Sequence, residues 1–126
     1  MTFILSRPQS SGSMSTTQTY DEAGTLERLG GDRQLFQDLV RFFLEDSQEI
    51  TAKLEERCAA NDSTGTERAA HSLRGICSNF GAKEVVDLCW VVERRSLVED
   101  WREVNGAMAQ LRDAVIRLRS ALQAKL

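Results

Sequence analysis

WREVNGAMAQLRDAVIRLRSALQ, residues 101 to 123, decides the fold. Trp101, Val104, Met108, Leu111, Val115, Leu118 and Leu122 recur at spacings of 3-4-3-4-3-4. Steps of three and four keep side chains on one face of an α-helix, so these residues form a continuous apolar seam for packing on other helices. Asp100 and Glu103 stand before it as a capping pair for the first turn. Such a seam can zip two chains into a coiled coil or pack within one chain. Three further amphipathic segments upstream make intramolecular packing the simpler use.

Those segments repeat the helical spacing. Val85, Leu88, Cys89 and Val92 predict a helix that ends near Leu97. Ala69, Ala70, Leu73, Ile76, Cys77 and Phe80 predict the buried face of another, opened by a Thr64/Glu67 capping box within the turn NDSTGT (61–66) and broken by Gly81. A long helix from about Arg33 to Ala60 carries Leu35, Phe36, Leu39, Phe42, Phe43, Ile50, Leu54 and Cys58. Asp46 and Ser47 interrupt its stripe, where a bend is expected. A short helix over Glu22 to Leu29 is closed by Gly30 and Gly31, with Asp32 placed to cap its successor. No segment alternates convincingly with period two. The expected fold class is all-α: an antiparallel up-and-down four-helix bundle with a short extra N-terminal helix. Residues 1–20 are rich in Ser, Thr and Gln and hold the only proline, so a flexible polar tail is expected there, followed by one bundle domain over 21–126.

Composition narrows the function. A length of 126 residues with 41% hydrophobic content suits one domain that buries a core without disulfides or a structural metal. The 16 Lys+Arg against 19 Asp+Glu leave a net charge of −3, which argues against nucleic acid as a partner. No run approaches the roughly 18 apolar residues of a membrane span, so no membrane partner is expected. Cys58, Cys77 and Cys89 are odd in number and lie within apolar helical patterns. They read as small buried thiols in a reducing cytoplasm. No C-x-x-C exists to support a zinc or redox site, and no metal is expected on this chain. Neither GxxxxGK[ST] nor GxGxxG is present to hold a nucleotide.

The single histidine, His71, falls opposite the apolar face of its helix. Thr64, Glu67, Arg68, His71, Arg74, Gly75, Ser78 and Ala82 continue one polar stripe, so His71 is predicted to face solvent. Gly75 lies one turn later. A mid-helix glycine costs about 1 kcal/mol relative to alanine, so drift or close helix packing is its ordinary reading. Because helical side chains lean toward the N-terminus, a side chain at 75 would lie over His71, and its removal clears the approach to the ring. An accessible imidazole can attack phosphorus through a ring nitrogen and form a phosphoramidate. Arg74 could offset phosphoryl charge with fork-like hydrogen bonds, and Arg68 could do the same or meet an acidic partner. A phosphoryl donor would have to come from another protein.

His71-Ser-Leu73-Arg74-Gly75 followed by Asn79-Phe80-Gly81-Ala82 resembles the motif of histidine phosphotransfer (HPt) domains, which runs His-x-Leu-Lys-Gly with a further Gly ten residues after the histidine. The preceding Ala69-Ala70, the long helix ending before an Asn-Asp turn, and Leu88-Cys89 with Val92-Glu93 extend the likeness over about residues 21–122. The resemblance implies an up-and-down bundle with its histidine exposed at mid-height. Such a domain shuttles a phosphoryl group between receiver-domain aspartates in multistep two-component phosphorelays, without kinase or phosphatase activity of its own. By matching position, His71 would be the phosphoacceptor, Arg74 would replace the usual lysine, Gly75 would clear the docking surface and Gly81 would mark the turn. Ser78, Glu67 and Ala82 would border that face as partner contacts. The partners would be receiver domains of response regulators or hybrid kinases, each bringing its own Mg²⁺, and this chain would act as a monomer. Two other functions fit a helical bundle: a module that binds receivers without transfer, and an enzyme with His71 as general base. The second needs a substrate pocket and an orienting carboxylate that the sequence does not reveal.

Overall fold

The computed structural model describes residues 19–126 and contains five helices, with no strand among the described residues. The tail expected over 1–20 lies almost entirely outside them; Tyr20 packs against the core. α1 (Glu22–Arg28) starts at Asp21, whose carboxylate accepts from the Gly24 N–H at 2.9 Å. Gly30 and Gly31, both at positive φ, turn the chain into Asp32, which caps α2 (Arg33–Ala59) by accepting from the Leu35 N–H. α3 (Ser63–Ser78), α4 (Lys83–Leu97) and α5 (Trp101–Gln123) follow through short turns. Asp100 caps α5 through the Glu103 N–H, as expected.

Each of α2 to α5 packs on the next and α2 closes the ring against α5, while α1 lies on α2 at one end. This is the four-helix bundle with an added N-terminal helix. Val104, Met108, Leu111, Val115, Leu118 and Leu122 of the α5 seam are all buried inside it. Nothing of the seam is left for a coiled-coil partner. Thiols fill gaps in the same core: Cys77 and Cys89 are fully buried, and burial pushes the Cys77 thiol up to about 12 and Cys89 higher still. Neither is available as a thiolate for metal or redox chemistry.

Three local expectations are corrected. α3 is capped by Asp62, which accepts from the Gly65 N–H at 2.9 Å, not by Thr64, which is exposed. A carboxylate two residues earlier offers the stronger acceptor to the same free amides. α2 is one continuous helix through Asp46 and Ser47, and the polar interruption there serves as an interhelical tie: buried Ser47 accepts from Arg119 Nη1 of α5. Leu35 and Phe42 of the predicted α2 stripe are exposed, because that stripe spans more of the circumference than the seam covers. Ala82, placed on the solvent face by extending the α3 phase, is 0% exposed. The helix stops at Ser78, and the chain reverses at Gly81 (φ +61°), turning Ala82 into the core.

That reversal anchors the whole end of the bundle. The Asp21 N–H donates to Phe80 O at 2.8 Å, and Arg28 Nη2 donates to Asn79 O at 2.7 Å. A Cβ on Gly81 would lie 2.9 Å from the Asp21 Cβ, so both φ and space demand glycine. Phe80, 1% exposed, sets its ring edge against Phe36 at 6.2 Å and Phe43 at 5.3 Å. Phe80→Ala is expected to lower stability by about 3–5 kcal/mol, measured by urea unfolding followed by circular dichroism. A loss under about 1 kcal/mol would show that this end repacks freely.

Candidate functional site

The phase of α3 follows from Ala69, Ala70, Leu73 and Cys77, which turn inward and leave His71 outside with 64% of its side chain exposed. The ring is not loose. Its Nδ1 faces α4, 3.2 Å from Oε1 of Glu93, a carboxylate only 5% exposed. Nε2, across the ring, has no hydrogen-bond partner among the described residues.

Glu93 was not singled out as a site residue from sequence. It sits four residues after Cys89 and beside Val92, on the buried side of α4. A buried carboxylate needs a partner, and that was the available signal. The partner is Arg74. Its Nε donates to Glu93 Oε2 at 2.6 Å, and its Nη2 donates to Oε1 at 3.1 Å, a two-pronged pair. The hydrogen bonds to Glu93 raise the Arg74 pKa further, so the guanidinium is permanently charged. Its plane lies over the half-exposed Trp90 ring at 4.8 Å, and Arg94 approaches the same ring at 5.7 Å. Arg74 Nη2 also lies 2.9 Å from His71 Nδ1. That nitrogen therefore meets a carboxylate oxygen and a guanidinium N–H at once.

The other sequence candidates surround this group unevenly. Glu67, Arg68 and Ser72 line a shallow hollow beside His71. Arg68 continues into a wider hollow between α2 and α3, where Lys53 and Arg57 join it. Gly75 is exposed, and a Cβ built on it would meet nothing within 4 Å. Ser78 is exposed, with its hydroxyl donating to Gly75 O at 2.8 Å. Just beyond, Leu39, Phe42, Ile76 and Asn79 border an apolar hollow, and Phe42 is 62% exposed. Ala82 takes no part in this surface.

Glu67, His71 and Glu93 bring potential ligand atoms within 4.8 Å of one another. Both Glu93 oxygens already receive hydrogen bonds from Arg74, so a cation would have to displace a guanidinium from a buried carboxylate. The group is a supported imidazole, chemically suited to nucleophilic attack through Nε2.

The comparisons place this arrangement in a class. The model of the Hpt domain family matches residues 38–121, which hold His71, Arg74 and Glu93 together with most of α2 and α5. The chain belongs to the Hpt domain family. Domains of this family are phosphocarrier modules of phosphorelays, not kinases, and they interact with receiver domains. Among solved structures, the crystal structure of histidine-containing phosphotransfer protein B (HptB) from Pseudomonas aeruginosa PAO1 is similar, with a TM-score of 0.80 at 19% identity. The match covers 87% of this chain and 96% of that one, and at such identity it shows a shared fold. No curated protein matches the chain in sequence. No helix among the described residues is long and apolar enough to cross a membrane.

Proposed function

We propose that this chain is a phosphorelay intermediate in which Nε2 of His71 takes a phosphoryl group from a receiver-domain aspartate and passes it to the aspartate of another receiver. The carrying observation is an exposed imidazole whose Nδ1 faces a buried carboxylate. With the ring proton on Nδ1, the Nε2 lone pair attacks phosphorus as the bond from phosphorus to the aspartyl oxygen breaks. The electron pair leaves with the aspartate carboxylate. The ring becomes a phosphorylated imidazolium that keeps its Nδ1 proton, and Glu93 stabilises the positive charge. The return step reverses these bonds.

The receiver supplies its aspartate and Mg²⁺; this chain supplies the positioned ring and a docking face. Phe42 and Ile76 offer apolar contact on one side, while Arg68 offers positive charge to an acidic partner. The hollow beside His71, lined by Glu67, Arg68 and Ser72, is open to solvent rather than enclosed, which favours this reading over general-base catalysis in a substrate pocket. The fully used α5 seam supports a monomer, and the buried unpaired thiols support a cytoplasmic location.

The test is transfer itself. Receiver domains charged with labelled acetyl phosphate and Mg²⁺ are expected to pass label to this protein, in a linkage lost in acid and stable in alkali. If receivers bind without passing label, the chain is a non-transferring interaction module.

A further inference from the structure

Resting on the phosphorelay reading, a second role emerges for Arg74. A neutral imidazole carries one proton, on either Nδ1 or Nε2, and the other nitrogen is an acceptor. A guanidinium can only donate. The 2.9 Å contact between Arg74 Nη2 and His71 Nδ1 is therefore a hydrogen bond only when Nδ1 is bare and the proton sits on Nε2. Glu93 asks the opposite, since its Oε1 at 3.2 Å is satisfied by a proton on Nδ1.

The geometry favours Arg74. Its contact is the shorter, and its donor is charged. Glu93 already receives one hydrogen bond on each oxygen, which weakens its demand for a third. The guanidinium is fixed independently of the histidine, by the fork on Glu93 and by the Trp90 face. A proton on Nδ1 would set two N–H groups against each other.

We infer that Arg74 is a positioning residue that holds resting His71 with its proton on Nε2, blocking the nucleophilic nitrogen until an incoming phosphoryl group draws Nη2 away from Nδ1. Phosphoryl oxygens are stronger acceptors than an imidazole nitrogen, so they compete for that N–H while Nε stays on Glu93 Oε2. Exposed Nε2 then gives its proton to water, and Nδ1 takes one from water and keeps it, the new N–H donating a hydrogen bond to Glu93 Oε1. No net proton is gained or lost, and the Nε2 lone pair is freed for attack. Arg74 thereby couples reactivity to the presence of a donor and spares the free imidazole from indiscriminate chemistry.

The experiment compares wild type with Arg74→Lys, which keeps one positive charge on Glu93 but cannot fork across Oε2 and Nδ1 together. Long-range ¹H–¹⁵N spectra at mildly alkaline pH, where an imidazole is neutral, read the tautomer directly. Wild type is expected mainly with the proton on Nε2, and Arg74→Lys mainly on Nδ1. Charging by phosphoramidate, a small donor that needs no docking, is expected to quicken about fivefold in the variant, the size of one lost hydrogen bond. An unchanged tautomer ratio, or slower charging, overturns the inference, because an arginine that only supports the phosphoryl group would leave the resting ring alone. Trp90→Leu, which loosens the guanidinium without touching the ion pair, is expected to move the tautomer in the same direction and serves if Arg74→Lys fails to fold; no movement there also overturns it. Receiver-to-protein transfer is followed separately in wild type. Its failure would remove the phosphorelay reading while leaving the tautomer result to stand or fall alone.

Discussion

His71→Gln is expected to abolish phosphoryl acceptance from every receiver while leaving the bundle as stable as wild type. The chain holds no second histidine, so no other residue can form a phosphohistidine. The side chain is mostly exposed and buries no apolar surface of the core, and surface replacements of this kind change stability by about 0.5 kcal/mol or less. Glutamine also keeps an amide able to meet both Arg74 Nη2 and Glu93 Oε1, so the buried carboxylate is not stranded. Thermal unfolding and label transfer, measured on the same preparation, check both halves. Residual alkali-stable label in the variant would place the phosphoacceptor on a residue other than histidine. A variant that lost both label and its thermal transition would show that His71 holds the bundle together, contrary to its exposure.

How much of this was legible in the sequence depends on whether the information was local. The α5 seam was, because its 3-4 spacing is uninterrupted and every member except half-buried Trp101 is deeply buried. The exposure of His71 followed from the same reasoning on α3. Ala82 failed because helical phase was carried beyond the end of the helix; after Ser78 the backbone obeys Gly81 rather than a 3.6-residue period. Thr64 failed because two overlapping cap registers exist in NDSTGT, and side-chain chemistry favours Asp62. Glu93 is the instructive omission. It stands 22 residues from His71, on another helix, and only the packing of α3 against α4 brings the two together. In sequence Arg74 reads as an arginine able to offset phosphoryl charge with fork-like hydrogen bonds, whereas its fork is engaged by that same carboxylate. Chain spacing gives the exposed histidine; tertiary packing gives the carboxylate and guanidinium that meet its Nδ1.

Gly75 separates what the fold requires from what a partner requires. Its φ is not in the left-handed region, and a Cβ there would touch nothing within 4 Å, so neither strain nor crowding inside the chain demands glycine. Helix propensity alone favours alanine by about 1 kcal/mol. Gly75→Ala is therefore expected to raise the melting temperature by about 4 °C, measured by calorimetry. The same open space that makes the replacement harmless to the bundle is expected to make a larger side chain costly to docking. A side chain at 75 leans toward the preceding turn, over the approach to exposed His71. Gly75→Leu is expected to slow transfer from a receiver by about tenfold or more, the factor that about 1.4 kcal/mol of lost docking energy represents. Charging by phosphoramidate, which needs only the imidazole, is expected to stay within about threefold of wild type, since the small donor can reach Nε2 from the open side. Equal losses with both donors would place the effect on the ring itself. Full receiver transfer by Gly75→Leu would mean that the partner docks elsewhere, and the glycine would then have no use that either the helix or the site explains.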